Sequence, residues 1–311
     1  MKTLTFALIT VFLLTDASSA SAQWTRVEEV PMPTPGAGER LVSLAAASVN
    51  PIDWKMRQGR LRAVFSLELP RVLGRDGAGT DVGSGERVMG LGAAGRDGTH
   101  AEFTVFQAHS SCVIPPEVSL EDAAAAGVAG LSAWIALVEN AQVAAGQRVL
   151  IHAGAGGVGS FAIQIAALRG AEVWTTCSAK NADWCRSLGA YRTIDYTKEN
   201  FTAPGQVFDA VLDTIGGPVH RASTEVLKPG GKLLFLNADP VHAVTRKDIT
   251  VLPTDVRATQ KRLLAVLTLI AEGRVKVPIE ARFPLARAAE AYELSRSGHS
   301  RGKILLIPGI L

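Results

Sequence analysis

The stretch VLIHAGAGGVGS, residues 149–160, decides how the chain is read. Four glycines fall within the six residues 154–159, so the backbone there is nearly bare. A compact apolar run, RVLIHA, leads into it. It is followed by GSFAIQIAALRG, whose apolar residues recur with helical spacing and which ends at Gly170. Gly154, Gly156 and Gly159 therefore form G-x-G-x-x-G between a strand and a helix. Gly154 permits the tight turn, Gly156 lets backbone approach a pyrophosphate, and Gly159 lets helix and strand pack closely. The helix start adds free N–H groups and a positive dipole end. A phosphorylated dinucleotide is the expected ligand, held along Gly154, Ala155, Gly156, Gly157, Val158 and Gly159.

The residues that follow repeat the pattern. AEVWTTC reads as a second strand and NADWCRSLG as a helix. YRTID and VFDAVLDT read as strands, PVHRASTEVL as a helix with proline near its start, and GKLLFLN as a strand after a KPGG turn. Such alternation predicts a parallel sheet covered on both faces by helices, a Rossmann-type doubly wound α/β domain. An NAD enzyme of this type carries Asp or Glu about 20 residues past the first glycine, for the ribose 2′-hydroxyl. Here the second strand ends in TTCSAKN, without a carboxylate. Ser178 can donate a hydrogen bond to a 2′-phosphate and Lys180 can supply a full charge, with Asn181 beside them; this points to NADPH. The competing reading makes Lys180 a solvated residue in the first turn of the next helix.

Both flanks have another character. Residues 24–116 are rich in glycine, short β-type runs and turns, among them ERLVSLAAASV, ERVMGL and HAEFTVF. Near Ser119 the composition turns to alanine-rich helix, with Ser119 and Asp122 spaced as a capping pair. At the other end DVRATQKRLLAVLTLIAEG reads as a long amphipathic helix, VKVPIEARFPL as extended, ARAAEAYELSRSG as helix and KILLIP as a last strand. The expected division is a leader-like segment at 1–22, a β-rich domain at 23–117, the nucleotide domain at 118–255, and a C-terminal segment at 256–311 that returns to the β-rich domain.

Composition narrows the function. The 32 basic and 29 acidic residues nearly balance, giving a formal charge of +3, and no basic tract offers a grip on nucleic acid. Cys112, Cys177 and Cys185 are an odd number without C-x-x-C, the histidines are scattered and H-E-x-x-H is absent, so no metal site is expected. Lys2, the apolar TLTFALITVFLL and the small-x-small Ala20-Ser21-Ala22 before Gln23 have the form of a secretory signal, which would place the protein in the periplasm or outside the cell. The competing reading is a buried strand at the start of a cytoplasmic protein. No stretch reaches about 18 uninterrupted apolar residues, so stable membrane insertion is not expected.

The segments VNPIDWKMRQG, LGRDGAG, ERVMGL, GLSAWIAL, AGAGGVG, RSLGA, IDYTKENF, FDAVLDTIGG and SGHSRGKILLIP, in that order, resemble the zinc-independent quinone oxidoreductase branch of the medium-chain dehydrogenase/reductases, the zeta-crystallin-like enzymes. The resemblance implies a GroES-like β-barrel catalytic domain beside the Rossmann domain. It also implies NADPH-dependent reduction of a small electrophile, a quinone or α,β-unsaturated carbonyl, often by a homodimer. Carried over position by position, it puts Asn50 and Lys55 near the substrate and Ser132, in place of the usual threonine, beside the nicotinamide. It puts Ser178, Lys180 and Tyr196 around the adenosine phosphate, and Asp213 and Gly216 at the coenzyme cleft. Arg301 and Lys303 are further coenzyme candidates. In SVNPID and LGRDGAG, the positions where a zinc alcohol dehydrogenase has its metal ligands carry neither cysteine nor histidine. Without a Lewis acid the acceptor has to be intrinsically electrophilic, and hydrogen-bond donors such as the Asn50 amide, the Lys55 ammonium or a Ser132-bound water suffice.

Three departures keep other readings open. The leader-like segment stands where relatives have a β-strand, TDVGSG is short for the usual strand and turn, and NADPH is a cytoplasmic coenzyme. An exported or degenerate nucleotide-binding protein without useful catalysis is one alternative, and an enoyl thioester reductase another. DITVLP is a candidate edge strand for pairing across a dimer axis.

Overall fold

The computed structural model describes residues 6–13, 24–61, 71–93, 96–236 and 245–309. In chain order the first elements are β1 (Phe6–Leu13), β2 (Trp24–Pro31), β3 (Glu39–Val49), α1 (Pro51–Arg57), β4 (Arg71–Val72), β5 (Asp76–Asp81), β6 (Arg87–Leu91), β7 (Phe103–Gln107), β8 (Ser111–Val113) and α2 (Leu120–Trp134). The nucleotide region contributes β9 (Arg148–Ile151), α3 (Gly157–Leu168), β10 (Glu172–Cys177), α4 (Ala182–Ser187), β11 (Arg192–Asp195), β12 (Phe208–Asp213), α5 (Pro218–Glu225), β13 (Leu227–Phe235) and β14 (Thr250–Pro253). The chain ends with α6 (Gln260–Ala271), β15 (Ile279–Pro284), α7 (Ala288–Arg296) and β16 (Lys303–Ile307).

These elements form two compact units. The first takes its described residues from Met1–Val128, Arg257–Glu272 and Ile279–Leu311; the second comprises those of Ala129–Val256 with Gly273–Pro278. Helix α2 runs through the junction. Its N-terminus is capped by Ser119, whose hydroxyl accepts from Asp122 N at 3.0 Å and donates to the Asp122 carboxylate at 2.7 Å. Helical geometry continues in wider turns over Ile135–Asn140. Among the described residues, Leu120–Asn140 is one helix long and apolar enough to cross a membrane, and 72% of its apolar window is buried inside the protein.

In the second unit a parallel sheet runs β11-β10-β9-β12-β13-β14. Strand order reverses at β9, which has β10 on one side and β12 on the other. This is where open α/β sheets bind ligands, at the carboxyl ends of the strands. Leu150, Val211, Leu233, Ile194 and Phe208 fill one layer against the sheet, all buried. The expected KPGG turn is drawn into β13, where Gly230 takes a positive φ of 77°. The C-terminal helix is shorter than its sequence pattern, beginning at Gln260 because the Thr259 hydroxyl caps it by accepting from Arg262 N.

The first unit is rich in β-strands. Its main sheet runs β15-β16-β3-β5-β6-β8, with β7 also pairing β3. The long β3 serves three partners, β16, β5 and β7. TDVGSG proves long enough for a hairpin between β5 and β6. The Asp81 carboxylate accepts from Gly83 N and Ser84 N, and Gly85 N closes the turn on Asp81 O at 2.8 Å. A second, small sheet has the order β2-β1-β4. The apolar run read as a leader core is therefore also its central strand, paired with β2 from Phe6↔Pro31 to Leu13↔Trp24. The signal-like cleavage position, Ala22 to Gln23, lies outside the described residues.

Candidate functional site

The glycine loop sits at the carboxyl end of β9, and its glycines answer to different constraints. A Cβ on Gly154 would stand 2.0 Å from Thr175 Oγ1, and one on Gly159 would stand 2.2 Å from Ala153 O. Neither position tolerates a side chain, because β10 and the turn itself already fill the space. Thr175 is held there by donating to Ile151 O at 2.7 Å. At Gly156, which is half-buried, the nearest atom to a Cβ is Ala153 O at 3.3 Å, a tight contact but not the clash found at the other two. Gly156 is extended and caps α3, whose helical residues start at Gly157. The N–H groups of Gly157 and Val158 thus open α3, with Ala155 nearly buried behind them.

Sequence reasoning missed what supports this loop. Ala153 adopts a left-handed φ of 53°, and its N–H donates to Thr176 Oγ1, while Gly154 N donates to Thr176 O. His152, buried, bonds Thr176 Oγ1 through Nδ1 and Ser223 Oγ through Nε2. Burial lowers its pKa to about 4, so the ring is neutral. The loop after β12 is tied to the same place: His152 N donates to Leu212 O and Thr214 Oγ1 donates to His152 O. Asp213 is fully buried and accepts from Ile215 N, Gly216 N and His220 Nδ1, so it shapes the turn. That turn needs glycine at Gly216, with φ 84°. A histidine ending an apolar strand gives no local sign of such partners.

At the neighbouring corner, where β10 and β11 end, the structure brings Ser178, Lys180, Asn181 and Tyr196 together. Asn181 Nδ2 donates to Ser178 Oγ at 3.3 Å, Tyr196 N donates to Cys177 O, and the Lys180 and Tyr196 side chains are exposed. The carboxylate that also lies here, Asp195, is held by the Thr197 N–H and hydroxyl. Ser132 is buried in the second unit, on α2.

Asn50, Lys55, Arg301 and Lys303 belong to the first unit. Asn50 is only 3% exposed and begins α1, on which Lys55 lies half-buried with its ammonium 5.9 Å from the Trp54 ring centroid. The Asn50 amide donates to Asp76 Oδ1 at 2.7 Å and to Ser48 O at 3.3 Å, and its oxygen accepts from Lys303 Nζ at 2.6 Å. Both amide hydrogens are used inside the unit. Lys303 is equally buried and also donates to Val49 O. Arg301 is exposed, its N–H on Glu280.

Around Asn50 lies a sealed polar cluster. Asp53 Oδ2 accepts from Asn50 N at 2.7 Å, and burial raises this carboxyl to about 7 against the pull of Lys303 and Arg75. Burial raises Asp76 as well and lowers Lys303, while the opposite charges oppose both shifts. His100 bonds Ser48 O through Nε2 and the Tyr292 hydroxyl through Nδ1, and burial lowers it to about 4. A carbonyl can only accept, so Nε2 carries the proton and Nδ1 receives the tyrosine O–H.

Comparison with known proteins places this arrangement. Residues 36–117 match the family described as alcohol dehydrogenase GroES-like domain, and residues 188–306 that described as zinc-binding dehydrogenase. The chain is 32% identical over 305 residues to a chloroplast envelope quinone oxidoreductase homolog of Arabidopsis thaliana, covering 90% of this chain and 93% of that protein. It is 32% identical over 287 residues to an NADPH-dependent alkenal/one oxidoreductase of the same plant, covering 86% and 72%. The solved quinone oxidoreductase from Coxiella burnetii superposes with a TM-score of 0.87 at 29% identity, covering 97% of this chain and 99% of that one.

Zinc, implied by the second family description, does not fit the residues present. Among the described residues no group of three or more His, Cys, Asp or Glu side chains could hold a metal ion. Cys112 is buried, its thiol pushed up to about 12, and Cys177 and Cys185 are buried free thiols. A nicotinamide dinucleotide does fit, in the cradle that a Cβ at Gly154 or Gly159 would destroy. By sequence, by fold and by this cradle, the chain is an oxidoreductase that belongs to the quinone oxidoreductase branch of the medium-chain dehydrogenase/reductase superfamily.

Proposed function

We propose that the protein uses NADPH to reduce a quinone or an α,β-unsaturated carbonyl, without a metal at the acceptor oxygen. The observation that carries this reading is the turn at residues 153–159, closed to side chains at Gly154 and Gly159 and less crowded at Gly156, where α3 begins. Backbone N–H groups there receive the pyrophosphate, with the dipole of α3 behind them. Ser178 and Lys180 receive the 2′-phosphate at a corner where the nearby carboxylate, Asp195, is already bound by Thr197.

When bound, the coenzyme supplies a hydride. The chain aligns the partners and steadies charge. A conjugated acceptor spreads its negative charge onto a remote oxygen, where one or two hydrogen-bond donors suffice. We assign that duty to the Lys55 ammonium, with Ser132 at the nicotinamide end; Asn50 holds the frame. The likeness to an alkenal/one oxidoreductase supports enones beside quinones.

The test is consumption of NADPH, followed by absorbance, with small quinones, alkenals and enoyl thioesters offered in turn. Turnover with quinones or alkenals is expected. Activity with enoyl thioesters alone would move the protein to that substrate class. NADPH binding in a calorimeter without turnover of any acceptor would leave a nucleotide-binding protein.

A further inference from the structure

The contacts around Asn50 form a line of aligned bonds that no feature of the sequence announces. Lys303 Nζ donates to Asn50 Oδ1 at 2.6 Å, and Asn50 Nδ2 donates to Asp76 Oδ1 at 2.7 Å. The other carboxylate oxygen, Asp76 Oδ2, accepts from Val128 N at 2.6 Å in α2. Room for that carboxylate depends on Gly127, where a Cβ would lie 2.4 Å from Asp76 Oδ2. Lys303, Asn50 and Asp76 are 3%, 3% and 0% exposed, so water competes for none of these bonds.

A cation and an anion are thus joined through a carboxamide, and the amide can point only one way. Reversed, its NH2 would face the ammonium and its oxygen the carboxylate, both repulsive. Two charge-assisted bonds polarise the amide in the same sense and stiffen it. Asn50 directly precedes Pro51, the first residue of α1, and its own N–H is fixed on Asp53 at 2.7 Å. Holding the Asn50 side chain therefore holds the start of the short helix that carries Lys55.

We propose that Lys303 and Asp76 are positioning residues for the reaction: they orient Asn50 and, through it, the α1 turn bearing Lys55, and Lys303 does not contact the coenzyme. This rests on the assignment of Lys55 to the acceptor. The geometry separates the role from two others. A purely structural charge pair could be replaced as a pair without loss, because breaking one partner strands a buried charge and removing both does not. A coenzyme ligand would reveal itself in coenzyme affinity.

The experiment compares wild type, Lys303→Met, the double variant Lys303→Met with Asp76→Asn, and Lys303→Arg. The readouts are thermal midpoint, the NADPH dissociation constant by calorimetry, and kcat and KM for a quinone. Lys303→Met alone should lose thermal stability. The double variant should regain part of it, since a carboxamide at position 76 can accept from only one of Asn50 Nδ2 and Val128 N. It should bind NADPH as wild type does and still fall about tenfold in kcat/KM, because the Asn50 amide has lost its donor. Recovery of kcat/KM together with the midpoint would overturn the proposal in favour of a structural pair. An NADPH dissociation constant raised about tenfold in the folded variants would overturn it in favour of a coenzyme ligand. Should both methionine variants fail to fold, Lys303→Arg decides: it keeps the charge but misplaces the donor, so unchanged kcat/KM overturns the proposal and a fall at constant NADPH affinity supports it. If wild type binds NADPH yet turns over no acceptor, the proposed reaction fails. Quinone affinity of the NADPH-loaded protein then carries the comparison, with a drop of about tenfold in the double variant supporting positioning and no drop overturning it.

Discussion

The hydroxyl of Thr175 occupies the place where a Cβ on Gly154 would go, the two positions being only 2.0 Å apart. Strand β10 thereby presses against the turn that receives the coenzyme, and the demand for glycine has two separable origins in one short loop. At Gly154 and Gly159 it comes from packing. At Gly156, where the nearest atom to a Cβ is Ala153 O at 3.3 Å, we assign it to the coenzyme.

That separation is testable by substitution. Gly159→Ala drives a methyl into Ala153 O and should cost roughly 1–3 kcal/mol in chemical denaturation of the free protein. Gly156→Ala should cost clearly less stability than Gly159→Ala, since the backbone there is extended at φ −75° and the nearest atom to a Cβ is 3.3 Å away rather than 2.2 Å. Its effect should appear in calorimetry, as NADPH affinity weakened by at least about tenfold. Equal loss of stability in both variants would remove the distinction.

We propose that coenzyme choice is read at Lys180. Its exposed ammonium has the 2′-phosphate as its expected partner, so Lys180→Ala should weaken NADPH by about tenfold and leave NADH nearly unchanged. Titration of both coenzymes into both proteins checks this, and equal losses would return Lys180 to the solvent.

Asp53 makes stability depend on pH in a definite direction. Its carboxyl is ordinary near 3.8 when unfolded and raised to about 7 when folded, so the folded state binds the extra proton between those values. The cost is absent below about pH 4, grows as pH rises through the interval, and is complete above pH 7. Asp53→Asn should therefore gain stability over the parent by an amount that increases from pH 4 to pH 7 and then levels. His100 and His152, lowered to about 4, act oppositely and add stability as pH rises from 4 to 6.5. Urea denaturation across that range gives both slopes, and a variant whose advantage shrinks with pH would contradict the assignment.

The N-terminal segment holds strand β1 in a stretch whose sequence has the form of a secretory leader. A chain beginning at Gln23 lacks β1, the strand shared by β2 and β4, and leaves two strand edges open. Its thermal midpoint should lie several degrees below that of the full-length chain. N-terminal sequencing of protein from the native host tells which form is present: Gln23 at the start would mean that the working protein manages without this strand.

Much of the nucleotide unit was legible because its determinants are local. The apolar run of β9, the glycines and the helical spacing of α3 are contiguous, and the strand and helix signals repeat through β13. Ser119 and Asp122 announced the start of α2 for the same reason. The Asn50 cluster was not legible, since its bonds join residues 26 and 253 positions apart, and a lysine in GKILLIP looks like any surface cation. Nor did sequence place His152 and Thr176 beneath the loop, 24 residues apart on neighbouring strands. Nor does sequence show that Lys303 is buried, with its ammonium on Asn50.

Strand β16 pairs with β3, Ile304 opposite Val49, and brings the Lys303 ammonium to Asn50 from 253 positions further along the chain. During synthesis, β3 emerges from the ribosome long before this partner exists. Most of the nucleotide unit, Ala129–Val256, is translated in the meantime and can fold while the earlier half still waits. The GroES-like half is therefore completed only after the nucleotide unit has been made, and a stop codon a few triplets before Lys303 would yield a chain able to fold its coenzyme-binding half with the other left open.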